Sequence, residues 1–152
     1  MVIRLKSDNY FIGDSSNTTE NQELILGYSA NGSVIHSQSG DNSYTSSVSN
    51  YSSSGEERII TFIHSKDSGK KTYINGVLAA QSSDKAQLSN ISEVVIGKEY
   101  TGEIGEIIIF NKALNNLDRQ YIANYLAFSV CPVNSISLIR FPRMWLGCNQ
   151  PH

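Results

Sequence analysis

The chain has 152 residues, of which 17% are charged, and a net charge of −2. That length suits a single domain able to bury about 70% of its unfolded surface without disulfides or metals. The weak charge excludes electrostatic steering onto nucleic acid or an anionic membrane, and no apolar run is long enough for a membrane span.

The opening MVIRLK is not a secretory leader, so the chain reads either as cytoplasmic or as a fragment of a longer exported protein. Residues 2–5 and 10–13 are short apolar runs parted by Ser7-Asp8-Asn9, two strands with a turn between. Residues 14–21 form a polar loop. Residues 23–28 (ELILGY) and 33–36 (SVIH) flank Ser29-Ala30-Asn31-Gly32, and the Asn-Gly pair there predicts a hairpin. From 37 to 55 the chain is polar, with Tyr44, Val48 and Tyr51 its only large apolar residues. Residues 44–48 read as an exposed strand and 50–57 as a loop. Asn17, Asn31, Asn50 and Asn90 begin N-x-S/T patterns, which chance produces in a chain rich in Ser and Asn and which matter only in a eukaryotic secretory setting.

Residues 58–64 put Ile60 and Phe62 on one face and Ile59, Thr61 and Ile63 on the other. Two largely apolar faces predict a central strand. After a polar turn, residues 70–74 and 77–80 are joined by Asn75-Gly76. That pair predicts a type I′ hairpin, with φ > 0 at both turn residues. Residues 94–97 read as a short buried run, and 103–110 as the longest apolar strand. A helix is expected at 116–127. Asn115 or Asn116 caps it, Asp118 lies in its first turn, and Leu117, Tyr121, Ile122, Tyr125 and Leu126 fall at helical spacing.

The order strand, turn, K-x-Y-I-N-G-V-L, spacer, I-G, G-E-I-G-E-I-I-I-F-N-K-A-L-N, then a short helix ending Y-L-A resembles the C-terminal half of a laminin G-like domain. Such domains belong to the concanavalin A-like lectin/glucanase superfamily. The resemblance rests on Tyr73, Asn75, Gly76, Ile96, Gly97, Gly102, Ile104, Glu106, Ile108, Asn111, Ala113 and Leu114. It covers about half the chain and is specific for fold, because these are strand, turn and packing positions. It implies an all-β fold, a jelly-roll β-sandwich of concanavalin A-like type with one short C-terminal helix, over residues 1–130. Residues 131–152 then form an atypical tail, either an added strand at 135–140 or a disordered end.

Glu103 and Glu106 invite comparison with the catalytic carboxylates of related glucanases, which flank the glycosidic bond as a pair. Residues three apart on a strand face opposite ways, so these two do not form such a pair, and no enzyme activity is expected. His36, His64 and His152 share no metal-ligand spacing. Calcium is the cofactor to consider, because related sandwiches bind it through loop oxygens. Asp14, Asp41, Asn42 and Asp67 are of that type, although solvated turn residues are their ordinary use. Cys131 and Cys148 both lie in the tail, where a bridge would staple the tail alone. Tyr44, Tyr51, Tyr100 and Trp145 offer rings on which sugars stack, though packing is the commoner role of any one.

The resemblance therefore implies non-catalytic recognition of a glycan or glycoprotein, with Tyr44, Tyr51, Asp41, Asn42 and Tyr100 as ligand-binding candidates and Asp14, Asp41 and Asp67 as calcium candidates. Its rival is a structural or assembly module of a phage, surface or adhesion protein with no ligand of its own. The implied setting is extracellular, cell-surface or virion. Laminin G-like domains usually open with a strand pair that meets the strand corresponding to 103–110. Only residues 1–6 precede the second apolar run here, so the resemblance implies an open sheet edge. Either the tail closes it or two chains associate as a homo-oligomer.

Overall fold

The structure is a computed structural model and describes residues 9–13, 19, 22–28, 33–38, 57–89 and 94–130. Among these residues the chain forms β1 (Asn9–Ile12), β2 (Leu24–Tyr28), β3 (Val34–Gln38), β4 (Ile60–Ser65), β5 (Gly69–Ile74), β6 (Val77–Ser82), β7 (Ile96–Glu99) and α1 (Asn116–Val130). The strands make two antiparallel sheets, one ordered β3-β2-β1-β7 and the other β4-β5-β6. The fold is all-β with one short helix, as the alternating runs predict.

Both predicted hairpins are present. β2 and β3 pair in continuous register from Tyr28↔Val34 to Leu24↔Gln38. β5 and β6 close with Ile74↔Val77 around Asn75 (φ 49°) and Gly76 (φ 80°), the positive φ values that a type I′ turn demands. Asn75 does more than turn the chain. Its N–H donates to the Ile59 carbonyl at 2.8 Å, and its Oδ1 accepts from the Ile59 N–H at 2.9 Å. The turn is thereby fastened to the approach of β4.

β1 holds the first sheet together, lying between β2 and β7. Both its ladders shift register between Tyr10 and Ile12. Gly13 follows at φ 85°, its N–H donating to Val95 O at 2.8 Å. A Cβ at Gly13 would overlap the Leu24 carbonyl oxygen, so this crossing requires glycine.

Four expectations need correction. β4 is not central: among the described residues it is the edge of its sheet, and β5 lies in the middle. Two apolar faces gave the wrong position because β4 uses them against the core and along a cleft, leaving every residue half-buried. Residues 94–97 are not a buried run, since Val94 and Ile96 are 59% and 52% exposed where β7 forms a sheet edge. Residues 103–110 carry no ladder among the described residues. Residues 107–110 line an open cleft instead, where Ile109 is 69% exposed.

The helix is correctly placed, but its inward face differs. Arg119 and Ala123 are buried and Ile122 and Leu126 half-buried, at the i, i+3, i+4, i+7 spacing of a packed stripe. Leu117, Tyr121 and Tyr125, spaced four apart, are instead exposed. Asn115 is the cap. Its Oδ1 accepts from the Asp118 N–H at 2.9 Å, its Nδ2 donates to Asp118 Oδ2 at 2.9 Å, and its carbonyl accepts the first helical bond from Arg119 N–H at 3.0 Å.

The core draws on both sheets: Phe11, Ile12, Leu26, Tyr28 and Val34 from one, Ile74 from the other. Phe11 is its aromatic centre. The ring meets Tyr28 and Tyr100 edge-on with centroids at 5.7 Å, and Phe62 of the opposite sheet at 6.1 Å.

Candidate functional site: a cleft between the sheets

A cleft of about 410 Å³ opens where β1, β2 and β3 meet β4, the 106–114 segment and α1. Its walls are chiefly apolar, with Leu24 and Leu26 from one sheet, Ile60 and Phe62 from the other, and Ile122 and Leu126 from the helix. This follows from the sequence locally. β4 carries apolar residues on both faces, so one set remains for the cleft once the core is filled. α1 turns its Arg119-Ile122-Leu126 stripe toward the same space.

Besides Thr61 and Asn111, four kinds of ionisable group interrupt the walls. His36 is buried on β3, and its ring meets Phe62 at 5.3 Å and His64 at 5.9 Å, both edge-on. The two imidazoles belong to different sheets and touch across the seam. Glu106 is half-buried and lines the cleft, whereas Glu103 is exposed and does not. Lys112 is an exposed lining residue.

The fourth group is Arg119, only 7% exposed. Its guanidinium carbon lies 4.0 Å from the Tyr73 ring centroid. Its Nη1 donates to the Gly76 carbonyl at 3.3 Å, and its Nε has no acceptor. No carboxylate pairs with it among the described residues. The stack and the carbonyl bond latch the start of α1 onto the β5–β6 turn, which Asn75 fastens from the other side.

A second buried charge lies on β5, where Lys70 is 0% exposed and its Nζ meets Asp84 Oδ2 at 2.7 Å. Asp84 also shapes the following segment, as its Oδ1 accepts from the Ala86 N–H at 2.9 Å.

Most of the predicted ligand residues cannot be placed against the cleft, lying outside the described residues. Asp14, Asp41, Asn42, Tyr44 and Tyr51 lie outside the described residues, as do Trp145, Cys131, Cys148 and residues 135–140. Tyr100 is half-buried, edge-on to Phe11, and its hydroxyl donates to the Glu103 carbonyl at 3.3 Å. Asp67 is exposed in the β4–β5 turn. Lys66 Nζ donates to it at 2.8 Å, and this bond and the adjacent charge hold its carboxyl below the usual carboxylate range. Among the described residues no three His, Cys, Asp or Glu gather as a metal site, and no helix is long and apolar enough to cross a membrane.

Sequence reading overlooked Arg119 and the approach of His36 to His64. The histidines' separation along the chain gives no sign of their contact. Arg119 did carry a signal, being the one cation at helical spacing with Ile122 and Leu126.

No protein-family model matches the chain, and no curated protein matches it. Among solved structures, it is similar to a crystallised S-layer domain-containing protein from Clostridium thermocellum. The match has 20% identity and a TM-score of 0.39, covering 81% of this chain and 67% of that one. At that TM-score the likeness carries no weight for fold or function.

Proposed function

We propose that the chain is a non-catalytic recognition module for a glycan or glycoprotein, built as a laminin G-like jelly-roll sandwich. The non-catalytic half is supported by one observation: among the described residues lining the cleft, Glu106 is the sole carboxylate. Glycoside hydrolysis needs two carboxyl groups flanking one bond, and Glu103 is turned to solvent instead. The recognition half rests on the motif resemblance, with two sheets sharing one core as its support. Tyr44, Tyr51, Asp41 and Asn42 are the ligand residues of this reading, with calcium held by Asp14, Asp41 and Asp67. Its setting is a cell surface, the extracellular space or a virion.

A glycan array probed with and without calcium tests it. Binding that is lost in Tyr44→Ala and Tyr51→Ala supports the proposal, and no binding under either condition overturns it. A second reading, an assembly module with no ligand of its own, is favoured by the exposed apolar residues Ile109, Phe110, Leu117, Tyr121 and Tyr125, since exposed apolar surface of this kind marks protein contacts. Under it, the array is blank and the chain joins copies of itself or a neighbouring protein.

A further inference from the structure

We propose that the cleft between the sheets is a binding site for a small apolar molecule carrying a single carboxylate, with Arg119 as the counter-charge. This site is built from other residues than those assigned to glycan recognition and does not rest on that reading.

Three observations converge on it. The open volume of about 410 Å³ lies within the range of roughly 300–1,000 Å³ usual for small-ligand sites. The walls are chiefly hydrocarbon: Leu24, Leu26, Ile60, Phe62, Ile122 and Leu126 suit an alkyl or aromatic body. Arg119 contributes a buried charge without a carboxylate partner among the described residues.

A guanidinium presents five N–H donors in a flat fork. Here Nη1 is spent on Gly76 O and Nε has no acceptor. A buried cation is stable when paired, and the fork matches a carboxylate in bidentate fashion. Glu106 lines the same cleft but forms no ion pair with Arg119, so the chain's own carboxylate does not fill this role. Stacking on Tyr73 at 4.0 Å fixes the plane of the fork before a ligand arrives, which reduces the entropy lost on binding. Arg119 is the one buried cation among the described residues lining the cleft, and a single guanidinium fork matches a single carboxylate.

The test compares dodecanoate with dodecan-1-ol, two probes alike in chain length and different in charge. Calorimetric titration of the whole chain at neutral pH, below micelle formation, should show dodecanoate binding at least about tenfold more tightly than the alcohol. Arg119→Gln should abolish that preference while leaving residual alcohol binding, and Ile122→Trp, which fills the cleft, should weaken both. Arg119→Gln also loosens the latch on α1 and is at risk of misfolding, so the comparison on the unsubstituted chain carries the test. Equal affinity for the two probes, or no binding of either up to about millimolar concentration, overturns the proposal. A preference for dodecanoate that survives unchanged in a folded Arg119→Gln also overturns it.

Discussion

Asn75 shows how much one side chain does beyond its local conformation. Glycine would accept φ 49° as readily, but only a side-chain acceptor reaches the Ile59 N–H at 2.9 Å. Ile59 is 7% exposed, so its donor would be left unpaired. Asn75→Gly should therefore cost about 1–2 kcal/mol in urea unfolding, and Asn75→Asp, which keeps the acceptor, distinctly less. Equal losses in the two variants would remove this role from the side chain. Lys70 and Asp84 make the complementary case of a buried ion pair. Asp84→Ala removes the carboxylate beside a fully buried ammonium and should cost about 3 kcal/mol, the lower end for such pairs because Asp84 is 26% exposed. Lys70→Met removes the buried charge itself and should be far milder. The same chemical denaturation series reads both, and a Lys70→Met loss as large as that of Asp84→Ala would mean that the ammonium is a net stabiliser.

At the level of elements, what could be read from sequence depended on whether the signal was local. The β5–β6 hairpin was fully legible because Asn75-Gly76 fixes turn, register and strand ends within a few residues. The helix start was legible for the same reason. Asn115→Ala should cost about 1 kcal/mol, removing the Oδ1 that accepts from Asp118 N–H at 2.9 Å, and amide exchange should quicken first in the opening turn of α1. Loss spread evenly over the molecule would show that the cap is not local in its effect. Residues 103–110 were misread because an apolar run states that side chains avoid water and not what covers them. A strand needs a partner, and here residues 107–110 line an open cleft instead, where Ile109 stays 69% exposed. The inward face of α1 was misread for a related reason. Leu117, Tyr121 and Tyr125 outweigh Arg119 in hydrophobicity, yet the arginine is buried because Tyr73 and the Gly76 carbonyl are there to receive it. The candidate cleft was invisible in the sequence, since it exists only once β4, α1 and the first sheet are brought together.

At the scale of the whole molecule, large apolar side chains are exposed on β6, on β7 and its approach, and at several positions between 108 and 125. Ile109, Phe110, Leu117, Tyr121 and Tyr125 are 69%, 43%, 60%, 64% and 54% exposed, and soluble monomers rarely leave a continuous apolar patch of any size uncovered. Two covers are open to this chain: its own residues 131–152, which lie outside the described residues, or a second copy. Removing the tail, whose SISLIRF run at 135–141 alternates in sequence, separates the two. If the tail is the cover, a chain ending at residue 130 should be less stable than the full chain, and its mass by light scattering should rise with concentration. Ile109→Ser with Phe110→Ser should suppress that association, because it removes exposed apolar side chains. If the full chain already associates and the serine pair makes it monomeric, the second copy is the cover. A shortened chain that stays monomeric, soluble and equally stable would mean that neither is, and that these side chains meet water as they stand.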